Sequence, residues 1–276
     1  MLTAFLLTLR ETLEAALIVG IVLSTLRATK RSKDERFVWF GSVTGVVLSA
    51  GIALVLHRLG AGLEGTTEEA FEGLTMLLAA AVLTWMIFWM QRQSSHLHLN
   101  FKKGILEAGQ DSFPIFSLAF LAVFREGLEL SLFLTAASFT SEWSKILGGA
   151  FIGFILAVSF GWALTTGLLR LDLKRFFSIT SFLLIIVAGG LVAHGVHELN
   201  EAGWIPSIIE NIWDLNPWFN EKSFWGQMST SLFGYNANPS LSEALATIVY
   251  YGSLVLYLSR QSRISKVKKA ASNAIN

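Results

Sequence analysis

The sequence predicts an all-α membrane protein of seven transmembrane helices, built as a 3+3 inverted-topology repeat plus one additional helix, with the N-terminus outside and the C-terminus cytoplasmic. Three observations carry that prediction. Of 276 residues, 53% are hydrophobic and only 15% charged, where a soluble domain carries about a quarter charged residues. The apolar residues fall in blocks of about 20, the length a helix needs to cross a bilayer. The basic residues collect in alternate connections, as the positive-inside rule requires. This composition excludes an ordinary cytosolic enzyme. The absence of cysteine excludes disulfides, thiolate metal sites, iron–sulfur clusters and c-type haem attachment, so any metal chemistry must use oxygen or imidazole.

The elements follow in order within a single transmembrane domain, 1–276. Span one, 2–26, has no basic cluster ahead of it and carries Arg10 inside its apolar block, so it reads as a retained helix and not a cleaved signal peptide. Span two, 37–57, carries Gly41-xxx-Gly45, and span three covers 70–91. Span four, 113–138, holds Arg125 near its centre; span five, 147–169, carries Gly149-xxx-Gly153; span six covers 176–197. Small residues spaced in this way let helices pack closely in lipid. The outer interfacial segment, 198–240, contains Trp204, Trp213, Trp218 and Trp225, which suit amphipathic helices lying at the interface or a docking surface for a partner. Span seven, 241–259, leads into a basic cytoplasmic tail ending at 276, suited to anionic headgroups without any need for nucleic acid.

Charge sets the orientation. The connections around 27–36, 92–103 and 170–175, together with the tail, hold 16 of the 21 Lys and Arg residues. The opposite side holds Arg58, Lys145 and Lys222 against 11 acids, a face that concentrates cations at its mouth. No Gly-rich loop followed by Lys-Ser/Thr occurs, and no cytoplasmic stretch is long enough for an ATPase. Energy must come from an ion gradient, the membrane potential or redox chemistry in a partner.

Arg10-Glu11-Thr12-Leu13-Glu14 of span one recurs as Arg125-Glu126-Gly127-Leu128-Glu129 of span four. Span one runs inward and span four outward, so 1–91 and 113–197 form the inverted pair, and sites in such folds lie near the midplane between repeats. On a helix the Arg and both Glu of each motif share one face. Charges at that depth cost about 2.5–3.5 kcal/mol each on the lenient insertion scale, so they must face one another, water or an ion. A structural Arg–Glu network locking two helices is one reading. The other is an ion site, because Glu11, Glu14, Glu126 and Glu129 outnumber Arg10 and Arg125 and leave a balance of minus two, which matches a divalent cation. Carboxylate oxygens suit hard or borderline cations.

Two Arg-Glu-x-x-Glu motifs on the first and fourth spans resemble the oxidase-dependent iron transporter family, comprising the fungal ferric permeases and the bacterial EfeU-type iron permeases. Phe71-Glu72-Gly73, Leu83-Thr84-Trp85-Met86, Phe88-Trp89-Met90, Glu201-Ala202-Gly203, Phe233-Gly234-Tyr235, Pro239-Ser240 and Ser242-Glu243 extend the likeness to the bacterial branch along nearly the whole chain. The resemblance implies high-affinity iron uptake through a multi-pass protein of the bacterial inner membrane, not an enzyme. The motif glutamates would carry the iron as transported substrate, with no permanently bound cofactor. Arg10 and Arg125 would supply supporting charge, and Glu68, Glu69 and Glu72 would admit the ion at the outer mouth. It also implies a periplasmic or extracellular partner that oxidises or binds iron. Asn200 departs from the histidine expected before Glu201, which weakens a ligand role for that pair.

Several features stay open between two readings. His194, His197, Glu198 and Glu201 could line one face near the outer end of span six and relay metal, or they meet water as helix-end polar residues. Glu68, Glu69 and Glu72 also complement a helix start. His96 and His98 could receive exiting metal or lie in a solvated loop. Ligand type alone does not separate iron from manganese or another divalent metal, and a non-transporting scaffold with a buried ion network is the alternative of another class.

Overall fold

A computed structural model describes residues 1–93, 111–165, 172–220 and 223–273; His96, His98 and much of the second and third basic connections fall outside them. Among the described residues the chain is helical, without strands: α1 (Leu2–Ala28), α2 (Glu35–Gly60), α3 (Thr66–Gln93), α4 (Phe113–Ser138), α5 (Trp143–Thr165), α6 (Leu173–Glu201), α7 (Phe224–Phe233) and α8 (Leu241–Asn273). A helix lies over each expected span. Several run a turn or more beyond the apolar block, because backbone hydrogen bonding continues past the residues that hydropathy marks.

Among the described residues five helices are long and apolar enough to cross a membrane, namely α2, α3, α5, α6 and α8. The two long helices outside that set, α1 and α4, are those interrupted by an Arg and two Glu. Exposed side chains on α2 (Phe40, Val43, Val47), α5 (Phe151, Phe154, Trp162) and α8 (Ile248, Val249, Val255) are apolar, which places these helices at the periphery, against lipid. The main core is central, built from Leu7 of α1, Met76, Leu83, Met86 and Ile87 of α3, Phe133 of α4, and Leu184 and Leu191 of α6.

Packing is reciprocal between the two halves. α1 lies against α5 as α4 lies against α2, and α3 crosses α6. The small-residue pairs make these approaches possible. A Cβ on Gly41 would come 2.5 Å from the carbonyl oxygen of Phe116, and one on Gly45 would come 2.9 Å from the amide nitrogen of Phe124. On the other side, a Cβ on Gly153 would come 2.7 Å from the carbonyl oxygen of Phe5 and 3.0 Å from the amide of Leu9. Gly73 and Gly195 face each other where α3 crosses α6.

The segment after α6 is not the set of amphipathic helices its tryptophans suggest. Its only helix among the described residues is α7, capped by the Ser223 hydroxyl, which accepts from the Gly226 amide at 3.0 Å. Elsewhere Pro206 and Pro217 lack amide donors, and the two limbs pair instead: the amides of Ile212 and Leu215 donate to the carbonyls of Pro239 and Ala237, and that of Leu241 to Ile209. Gly234 ends α7 with a left-handed φ of 64° and presses on Gly190 of α6, an approach that a side chain at either position would block. Trp204, Trp218 and Trp225 are exposed. Residues 198–201 belong to α6 and not to this segment.

We expect Gly41→Ala to destabilise the folded protein by about 1–3 kcal/mol through overpacking, read as a lowered melting temperature in detergent. Gly51→Ala, with nothing within 4 Å of the added methyl, should leave it unchanged or raise it slightly.

Candidate metal centre

Helical geometry organises both motifs alike. On α1, Arg10 pairs with Glu14 one turn on (Nη2–Oε1 3.1 Å) and with adjacent Glu11 (Nη1–Oε1 2.9 Å). On α4, Arg125 pairs with Glu129 one turn on (Nε–Oε1 2.9 Å) and lies 3.9 Å from Glu126 Oε1. Burial differs between them. Arg10 is fully enclosed, whereas the Arg125 side chain keeps 42% of its exposure.

The close contact of α1 with α4 brings three of the four motif glutamates together. Glu11, Glu126 and Glu129 each offer one carboxylate oxygen, and these atoms lie within 4.8 Å of one another. The fourth, Glu14, is engaged with Arg10 and stands outside that group. Glu11 and Glu126 are buried, and the second oxygens (Oε2) of Glu11, Glu126 and Glu129 have no hydrogen-bond donor. Buried carboxylate oxygens almost always find a donor or an ion. Converging hard oxygens without donors are what a hard or borderline cation needs.

The acids expected at an outer mouth gather elsewhere, at the end of the bundle that holds Met1. Glu68, Glu69 and Glu72 occupy the first turns of α3, and Glu72 lies within electrostatic reach of Glu198 across the α3–α6 crossing. On α6, His197 sits between two carboxylates: its Nε2 is 3.4 Å from Glu201 Oε1 and its Nδ1 is 3.5 Å from Glu243 Oε2. His194 lies within electrostatic reach of the same Glu243. His194 and His197 therefore face the start of α8, while Glu198 and Glu201 lie beside His197 on α6. Asn200 has a structural role, since its Oδ1 accepts from the Ser242 hydroxyl at 2.6 Å and ties α6 to α8.

Three contacts were not anticipated. Glu243 is buried beside His197 and also accepts from Asn236 Nδ2 at 3.2 Å; the Ser242-Glu243 pair in the family likeness pointed to the residue but not to this contact. Met86 Sδ lies 3.2 Å from Arg10 Nη1, and the Arg125 guanidinium stacks 4.6 Å from the centre of the Trp89 ring. About 20 Å of α3 separates Glu72 from Met86, and the main apolar core fills that interval.

Membrane-length helices enclosing a buried acidic centre make a membrane transporter. The chain belongs to the iron permease FTR1 family, whose model it matches over residues 1–261. It is 33% identical over 257 residues, 91% of this chain and 92% of the relative, to the ferrous iron permease EfeU of Escherichia coli O6:K15:H31 (strain 536 / UPEC). To the ferrous iron permease EfeU of Yersinia pestis it is 31% identical over 281 residues, 100% of each chain. No solved structure matches. The family is one of permeases, so the chain is a multi-pass membrane transporter and not an enzyme. Iron is its substrate and not a resident cofactor.

Removing Arg10 leaves Glu11 and Glu14 without their cation in the interior. Arg10→Met should cost about 3–5 kcal/mol, as breaking a buried pair does, and sharply lower the monodisperse yield in detergent. Adding Glu11→Gln to Arg10→Met should recover part of that yield.

Proposed function

We propose that the chain imports ferrous iron across a bacterial inner membrane, loading the ion at the acidic outer end and passing it through the centre formed by Glu11, Glu126 and Glu129. The observation that carries this reading is the convergence of three buried carboxylates, from two helices bearing the same motif, with their second oxygens free of donors. The relatives' names, ferrous iron permeases, supply the identity of the cargo.

In this reading α1 to α6 and α8 are the seven spans, 1–91 and 113–197 are inverted repeats, and Met1 lies outside. Reciprocal packing of α1 on α5 and α4 on α2 supports the repeat, as does the matching approach of Gly41, Gly45, Gly149 and Gly153 to the partner backbone. Alternation of the basic connections supports the orientation. Glu68, Glu69, Glu72, Glu198 and Glu201 raise the local cation concentration, with His194 and His197 beside them as relay ligands. Arg10 and Arg125 supply part of the counter-charge for the carboxylates. Glu14 shares the Arg10 charge and tunes the centre without joining the three converging oxygens. The exposed Trp204, Trp218 and Trp225 give the same end a surface for the membrane interface or for a periplasmic iron-handling protein.

The test is anaerobic ferrous iron binding to the purified chain, with uptake into proteoliposomes alongside. Glu11→Gln, Glu126→Gln and Glu129→Gln should each weaken binding by at least about tenfold and abolish uptake, with Glu14→Gln weakening it less. Wild-type binding by the Glu129→Gln variant would overturn the centre. Manganese displacing ferrous iron at equal concentration would reassign the cargo.

A further inference from the structure

The Leu83 to Met90 stretch of α3 carries no charge, yet its side chains touch both motif arginines. Met86 and Trp89 are three positions apart and share a helix face. Met86 Sδ accepts from Arg10 Nη1 at 3.2 Å, and the Trp89 ring carries the Arg125 guanidinium 4.6 Å from its centre. A helix outside both motifs thus holds one cation from each.

The consequence lies in which oxygens remain. A guanidinium has five N–H donors in a planar fork and, next to a carboxylate, tends to engage both oxygens. Here neither does so. Arg10 takes Oε1 of Glu11 and Arg125 takes Oε1 of Glu129, and Oε2 of each carboxylate is left without a donor. A thioether sulfur and an aromatic face attract a guanidinium without bringing a charge of their own. They occupy part of each cation's bonding capacity and draw it to the α3 side of the cluster.

We propose that Met86 and Trp89 are positioning residues that restrain Arg10 and Arg125 to one oxygen of each glutamate, so that the remaining oxygens are available to the transported cation. Without this restraint the arginines close onto their carboxylates in bidentate fashion and compete with the incoming ion. The positions set iron affinity through the arginines and do not contact the ion. The inference rests on the glutamate centre proposed above.

The experiment is calorimetric titration of the full-length purified chain with ferrous iron under anaerobic conditions. Trp89→Leu, which keeps an apolar side chain but loses the ring, should weaken binding about fivefold, and Trp89→Phe should stay within about twofold of the wild type. Met86→Leu conserves volume and should also weaken binding severalfold. In an Arg125→Gln background Trp89→Leu should have no further effect, because the cation through which it acts is gone. Equal losses for Trp89→Leu and Trp89→Phe would overturn the proposal in favour of simple packing, as would an undiminished Trp89→Leu effect in the Arg125→Gln background. Wild-type affinity in Met86→Leu would overturn the Met86 half. Glu129→Gln, titrated in parallel, separates the two levels: if it binds iron normally the glutamate centre itself is wrong, whatever the α3 variants do.

Discussion

The rest of the molecule is arranged around six ionisable side chains that α1 and α4 bring together. Four carboxylates and two guanidiniums in a low-dielectric interior are tolerable only while each charge has a partner, and breaking one such pair costs about 3–5 kcal/mol. That requirement explains features that look unrelated. Glycines at 41, 45, 149 and 153 bring α2 and α5 against the backbones of α4 and α1, which keeps both charged helices inside a ring of apolar ones. The outward faces of α2, α5 and α8 are free to be largely apolar along their middle turns because the buried charges are confined to the interior.

Much of this was legible from periodicity and charge. α1 and α4 fall outside the helices apolar enough to cross a membrane, and the Arg and two Glu at helical spacing that set them apart also mark them as the pair bearing the repeated motif. The repeated motif named the residues that now lie at the centre. Which of the four glutamates converge could not be read, because that depends on the rotation of α1 relative to α4, a tertiary quantity. The same limit hid Met86 and Trp89, whose partners lie on other helices, and Glu243, whose contact with His197 is made across α8 and α6. The segment after α6 was misjudged for a different reason. Tryptophan content speaks for an interface, but Pro206, Pro217 and the intervening Asn residues decide the backbone, and they favour paired limbs over helix.

α3 has an unexpected standing in this design. It is the helix that carries Glu68, Glu69 and Glu72 at one end and touches both arginines near the other, and its crossing with α6 through Gly73 and Gly195 seats it in the centre of the bundle. A shift of α3 therefore alters the acidic group at its start and the arginine environment together. The two groups belong to one mechanical element although no charge connects them.

The apolar layer of Leu7, Met76, Leu83, Phe133 and Leu191 between those groups also bears on bioenergetics. Stripping a divalent ion of water and pushing it through such a layer costs tens of kcal/mol, so the bundle in this state behaves as a shut valve and not as a pore. A membrane that stores energy as voltage is not short-circuited by a bundle sealed in this way.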